Sequence, residues 1–221
     1  MNIRGNWYLL PKKLEIEGWV EIEGVSSPSS LVAIAEKIGT IIPHPSGELI
    51  SVLKPSDGVA SIRGTFSSIY GFEAFPLHTD TAFWPKPARY IVMGVLNEDK
   101  TSTNIVSTIS ILNTLTRFAR NAAKTAVYKV TTPSGVHFTS LMFNERGSKG
   151  FRFDPCCMIQ ANESAKIFDS EFREATTAIK PYKITWNSGK ALIIDNWNAM
   201  HGRSAIKDSS KNRELLRIYV E

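Results

Sequence analysis

Apolar residues along this chain fall mostly in short runs, and at helical spacing in only three places. Residues 49–53 (Leu-Ile-Ser-Val-Leu), 89–96 (Arg-Tyr-Ile-Val-Met-Gly-Val-Leu), 190–195 (Lys-Ala-Leu-Ile-Ile-Asp) and 215–220 (Leu-Leu-Arg-Ile-Tyr-Val) are runs of strand length. The second follows a Pro-rich bend, Trp84-Pro-Lys-Pro-Ala88. Residues 14–23 alternate partly and run into Gly24, which predicts a strand or a turn edge. Residues 125–143 hold further β-rich runs, broken at Pro133-Ser-Gly135. Helical spacing appears at Leu31, Ile34, Ala35 and Ile38, after serines suited to an N-cap and before Gly39 as a stop. It appears again at Ile109, Leu112, Leu115, Phe118 and Ala119, predicting an amphipathic helix over 107–123. A third helix is expected over 162–179, with Ile167, Phe168, Phe172 and Ala175 on one face. Many short strands with a few helices predict an α+β, mainly β fold: a double-sheet jelly roll or barrel flanked by helices. No repeat, low-complexity tract or linker interrupts the chain, so residues 1–221 are expected to form one domain.

Composition narrows the class of protein. The chain has 221 residues, 43% hydrophobic and 21% charged, and a formal net charge of +5. That is ordinary for a globular protein with a full core. No Lys/Arg run is long enough for a nucleic-acid tract, and no apolar run approaches a membrane span. A small-molecule substrate is the expected partner, not nucleic acid or a membrane. The mild positive balance suits an anionic one, although on charge alone a solvated basic surface is the commoner explanation. The first residues, Met1-Asn-Ile-Arg-Gly-Asn, lack an apolar signal core. The two cysteines, Cys156 and Cys157, are adjacent and poorly placed to bridge. Both points predict a cytoplasmic protein.

Two distant stretches carry candidate chemistry: Phe75-Pro-Leu-His78-Thr-Asp80 and Asp195-Asn-Trp-Asn-Ala-Met-His201-Gly-Arg203. Residues i and i+2 of a strand share a face, so His78 and Asp80 project together, and His201 would join them from a second strand end. Two imidazoles and one carboxylate form the facial triad of non-haem Fe(II) oxygenases, which leaves metal positions open for a co-substrate and O₂. Either segment alone occurs readily by chance. Arg213 and Arg217, four residues apart near the last apolar run, add a cationic pair. A guanidinium fork matches a carboxylate in two-point geometry.

The segment 75–90 resembles the first metal motif of the TauD/TfdA family of Fe(II)/2-oxoglutarate-dependent dioxygenases, relatives of the clavaminate-synthase-like enzymes. The segment 192–203 resembles its distal-histidine motif. The tail Asn212-Arg-Glu-Leu-Leu-Arg-Ile-Tyr-Val220 resembles its arginine-bearing final strand. The likeness runs in order over roughly residues 60–221. It implies a double-stranded β-helix (jelly-roll, cupin-like) core. It implies Fe(II) on His78, Asp80 and His201, with 2-oxoglutarate and O₂ as co-substrates. By the same resemblance Arg213 would hold the far carboxylate of 2-oxoglutarate. Thr103 would assist, with Thr101 and Ser102 as alternatives. Arg217 would face substrate or co-substrate; a plain ion-pair role is the alternative.

The activity implied is oxidation, foremost hydroxylation, of an unactivated C–H in a small anionic or zwitterionic metabolite, with release of succinate and CO₂. Desaturation, cyclisation or bond cleavage would start from the same hydrogen abstraction. A non-catalytic jelly-roll binder would be expected to have lost at least one ligand. A zinc hydrolase would leave the arginines unexplained. Asp80 itself argues against halogenation, which needs a small residue there. Asn196 and Trp197 are expected to orient the distal ligand, and Arg203 to be structural. The short span between Asp80 and His201 leaves little room for a lid. Residues 64–72 or a partner chain of a homo-oligomer would then cover the pocket. Arg89, His44, His137, Phe66, Tyr70, Phe83 and Trp84 are expected to be structural.

Overall fold

A computed structural model describes residues 10–44, 47–61, 64–132, 135–207 and 213–221. Met1–Asn6, Pro133-Ser134 and Asn212, read above from sequence, lie outside them. Helix α1 (Leu10–Glu17) leads into β1 (Trp19–Glu23), α2 (Pro28–Glu36), β2 (Ile41–Ile42), β3 (Ser51–Leu53), α3 (Phe66–Tyr70), β4 (Phe75–His78), β5 (Tyr90–Gly94) and β6 (Asp99–Ser107). Helices α4 (Thr108–Thr114) and α5 (Arg117–Ala123) follow, then β7 (Val127–Thr132), β8 (Gly135–Ser140), β9 (Met142–Glu145), β10 (Ser148–Phe151) and β11 (Met158–Gln160). Helix α6 (Glu163–Ala178) precedes β12 (Tyr182–Trp186), β13 (Lys190–Asp195), β14 (Ala199–Arg203) and β15 (Leu215–Val220).

Two antiparallel sheets make the core of a jelly roll. One runs β1-β13-β5-β15-β2, with β3 also on β15; the other runs β12-β6-β14-β4. Between them lie Ile91, Met93, Leu192, Ile194 and Tyr219 from the first sheet, against Ile105, Ile184, Trp186 and Ala199 from the second. Strand β13 is buried along its whole length, which is why it reads as a continuous apolar run and not as an alternation. The outer face of the large sheet packs on α1 and α2 through Leu14, Leu31, Ile34, Val92 and Ile193. The outer face of the small sheet packs on α4–α6 and on the sheet β11-β7-β8 through Val106, Met200, Ile111, Tyr128, Phe168 and Phe172.

The longer apolar elements fall where the pattern puts them, and three departures bear on the architecture. Residues 14–17 are helical, because Leu10 and Leu14 bury one helical face and Gly18, at φ +87°, ends the turn before β1. The helix expected over 107–123 is two helices. Leu115 is extended (ψ 156°), and Thr116 caps α5 by accepting from the Ala119 N–H. Its buried face is therefore Ile111, Leu115, Ala119 and Ala122, whereas Ile109 and Phe118 are exposed. Strand β6, which faces the interior with Asp99, Thr101, Thr103 and Ile105, is absent from the sequence reading because its inward side chains are mostly polar. By contrast α2 forms as expected, with Ser27 and Ser30 closing a capping box.

Asp169 anchors α6 from inside, accepting from Tyr128 Oη, Gln160 Nε2 and the Arg173 guanidinium. Both Tyr128 and Asp169 are buried. Tyr128→Phe should therefore cost about 1–3 kcal/mol in urea unfolding, because it strips a buried carboxylate of one donor without changing shape.

Candidate metal centre

His78 ends β4 and pairs directly with His201 of β14, which in turn pairs with Ile105 of β6. The register brings the two rings to 4.5 Å between centroids. Asp80 lies just past the end of β4, and one oxygen, Oδ1, faces both histidines: 3.6 Å from His78 Nε2 and 3.9 Å from His201 Nε2. One ligand atom from each of the three residues can lie within 4.8 Å of the others, and all three are buried. These separations are too long for hydrogen bonds and leave the lone pairs converging on a common space. A cation is what such a space accepts.

The surroundings fix each ligand. His78 Nδ1 lies 2.9 Å from the Pro76 carbonyl. Donation there leaves Nε2 as the lone-pair nitrogen, in the manner of metal-bound imidazoles. Oδ2 of Asp80 is held away from the histidines by Arg217 Nη1 at 2.9 Å and Tyr219 Oη at 3.3 Å. The Asn196 side chain clamps the backbone of Asp80 from both sides. Its Oδ1 accepts from Asp80 N at 2.8 Å, and its Nδ2 donates to Asp80 O and Ala88 O, both at 2.9 Å. Thr81 stands at φ +55°, a strained conformation for a β-branched residue. Its hydroxyl compensates by donating to Asp80 O and accepting from Ala88 N. The Pro-rich bend behind is tied down by buried Arg152, which donates to the carbonyls of Ala82, Trp84 and Pro85.

Electrostatics suit a ligand set. Burial opposes the Asp80 charge, but Arg217 and the histidines outweigh it and hold the carboxyl far below its usual range. Burial, with the charge of His78, pushes His201 down to about 3, so it stays a neutral donor. Burial also pulls His78 down, but the Asp80 carboxylate outweighs this and raises it. A metal ion would displace that proton.

The remaining expected residues separate. Arg213 meets Asp99: Nε lies 2.6 Å from Oδ2, both side chains being at most 6% exposed. Among the described residues Arg213 Nη2 and Thr101 Oγ1 are buried without a hydrogen-bond partner. These unsatisfied donors fit the far carboxylate of an oxo-dicarboxylic acid. Thr103 lies on the same strand face, opposite Arg203, and accepts from Trp186 Nε1 at 3.0 Å. Ser102 is off that face, where its N–H bonds to Ser204. Arg217 sits in the site, against Asp80. Arg203 is structural, donating to the carbonyls of Gly71 and Glu73. Arg89 pairs with Asp195 at 2.8 Å and packs over Trp197. Phe66 of α3 stacks on His78 with centroids 4.0 Å apart, so the 64–72 segment does cover one side of the site. Trp84 and Phe83 belong to the cores. His44 stacks on Tyr219, and His137 lies in β8, paired with Val130 of β7. The sequence reading missed Tyr219 and Asp99. Only strand alternation, placing Tyr219 beside Arg217, hints at the first.

Residues 14–219 match the family described as "Taurine catabolism dioxygenase TauD, TfdA family". No curated protein matches the chain. Among solved structures, asparagine oxygenase, with Fe(II), 2S,3S-3-hydroxyasparagine and succinate bound, superposes with a TM-score of 0.75 at 16% identity, over 96% of this chain and 77% of that one. PvcB from Pseudomonas aeruginosa gives 0.71 at 18% identity, over 97% and 79%. The non-haem iron oxygenase OrfP, with Fe, succinate and (3S)-hydroxy-L-Arg, gives 0.72 at 18% identity, over 96% and 79%. At such identities the likeness is one of fold. Among the described residues no helix is long and apolar enough to cross a membrane.

Proposed function

This chain belongs to the TauD/TfdA family of Fe(II)/2-oxoglutarate-dependent dioxygenases, and from that premise we propose that it hydroxylates an unactivated C–H of a small amino-acid-like metabolite. The observation that carries the reading is Asp80 Oδ1 facing the Nε2 atoms of both His78 and His201, with Oδ2 turned away and anchored. His78, Asp80 and His201 are the residues that would hold iron. When bound, iron would activate O₂ with 2-oxoglutarate as the two-electron donor: one oxygen atom would end in succinate as CO₂ is lost, and the other would enter the substrate.

The chain's own residues bind and orient. Arg213, with Thr101 and Thr103 beside it, takes the far carboxylate of the co-substrate and so sets the direction from which its oxo-acid end reaches the metal. Arg217 keeps Asp80 ionised and aimed. It also offers the site a cation for the carboxylate of an amino acid, a class to which the products bound in asparagine oxygenase and OrfP belong. Phe66 covers His78 and limits water access. The catalytic unit is the single domain 1–221, acting in the cytoplasm on a small molecule; a second copy of the chain could complete the cover.

Substrate-dependent succinate formation across a panel of free amino acids tests the reading, with product mass separating hydroxylation from desaturation, cyclisation or cleavage. No turnover with any small zwitterion or anion would overturn the substrate class. Arg213→Ala should raise KM for 2-oxoglutarate about ten- to a hundredfold with a smaller change in kcat, as expected on losing a charge-assisted carboxylate contact. Steady-state kinetics in 2-oxoglutarate reads this directly.

A further inference from the structure

The interior face of β6 presents an acid where an anion has to bind. We propose that Asp99 is a resident competitor for the far carboxylate of 2-oxoglutarate at Arg213, one that holds co-substrate affinity down and narrows the preference for a dicarboxylic over a monocarboxylic 2-oxo acid. The proposal rests on the reading of Arg213 as the co-substrate anchor.

Asp99, Thr101 and Thr103 alternate onto one buried face of the strand. Asp99 and Arg213 meet there at 2.6 Å, with side chains 3% and 6% exposed. The contact is imperfect. Arg213 Nε and Nη2, Asp99 Oδ2 and Thr101 Oγ1 all lack an in-line hydrogen-bond partner among the described residues. Asp99 cannot easily swing aside, because its other oxygen accepts from Thr101 N at 2.9 Å. An incoming carboxylate therefore finds free donors on Arg213 but also a fixed negative charge beside them. Asp99 cancels the Arg213 charge at this corner, so an incoming carboxylate meets a neutral pair; removing the Asp99 charge would leave the Arg213 guanidinium unopposed. At an effective dielectric near 20, a unit charge a few ångströms from the ligand changes affinity by roughly tenfold or more. A 2-oxo acid without the far carboxylate gains little, since nothing on it meets Asp99.

The test is anaerobic titration of the Fe(II)-loaded protein with 2-oxoglutarate and with 2-oxopentanoate, its five-carbon analogue lacking the far carboxylate. Wild type, Asp99→Asn, Asp99→Ser and Arg213→Met are compared, with a melting temperature for each. Asp99→Asn should tighten 2-oxoglutarate binding roughly tenfold or more and move 2-oxopentanoate by less than about twofold. Should the Asn variant fail to fold, Asp99→Ser removes the same charge and carries the same expectation. Unchanged or weaker 2-oxoglutarate binding in a folded Asp99 variant overturns the proposal, while Arg213 remains the anchor if Arg213→Met weakens 2-oxoglutarate alone. If Arg213→Met leaves 2-oxoglutarate binding intact, the anchor reading itself falls, and the proposal with it.

Discussion

His78→Ala should give a folded protein that binds no catalytic iron and forms no succinate above background. His78 supplies one of three ligand atoms that meet around Asp80 Oδ1, and two remaining ligands do not complete a facial triad. Asp80→Ala should abolish activity equally and also destabilise the fold. Asp80 is the carboxylate partner of Arg217, whose side chain is only 15% exposed, and it accepts from Tyr219 as well. Removing one member of a buried ion pair strands the other, at a cost of about 3–5 kcal/mol. Anaerobic Fe(II) binding and denaturant unfolding of both variants check this. Activity vanishes in each, while the larger loss of stability belongs to Asp80→Ala. Equal stability would mean that Arg217 is satisfied by something other than Asp80.

Asn196→Leu should be nearly as damaging without touching the metal. Asn196 is fully buried and bonds to Asp80 N, Asp80 O and Ala88 O. Leucine fills the volume but strips the Asp80 N–H and the Ala88 carbonyl of these partners, at about 1–3 kcal/mol for each group left unsatisfied, while Asp80 O keeps the Thr81 hydroxyl. The loop that carries Asp80 loses its clamp, so iron affinity should also fall about ten- to a hundredfold. Asn196→Asp tests the same contacts differently: it keeps the acceptor for Asp80 N and loses the donor for both carbonyls. Chemical denaturation and Fe(II) titration report the two effects separately. Full metal affinity in a destabilised Asn196→Leu protein would reduce the residue to a structural one.

What could be read from the chain follows from the physics of each element. Strands β13 and β15 are apolar enough to stand out, and α6 shows its buried face through Phe168 and Phe172. The cluster of His78, Asp80 and His201 is legible because His78 and Asp80 are local and the distal motif is short. Strand β6 was not, since its inward residues are polar for the sake of the site. With it went Asp99, which no local pattern ties to Arg213. The helix over 107–123 was mis-registered because one extended residue, Leu115, resets the helical phase. The Asn196–Asp80 clamp joins residues 116 apart. A sequence shows the motif around Asn196, while only the folded chain shows what the side chain holds.

The central claim is that His78, Asp80 and His201 hold iron with 2-oxoglutarate chelated beside Arg213. Anaerobic titration of the apo-protein with Fe(II) and then 2-oxoglutarate tests it most directly, through the weak visible charge-transfer band of the chelate. The account predicts that the band appears, is lost in His78→Ala, and in Arg213→Ala is lost at the co-substrate concentration that saturates the wild type. Iron binding without a band would contradict the co-substrate assignment, and no iron binding at all would contradict the site.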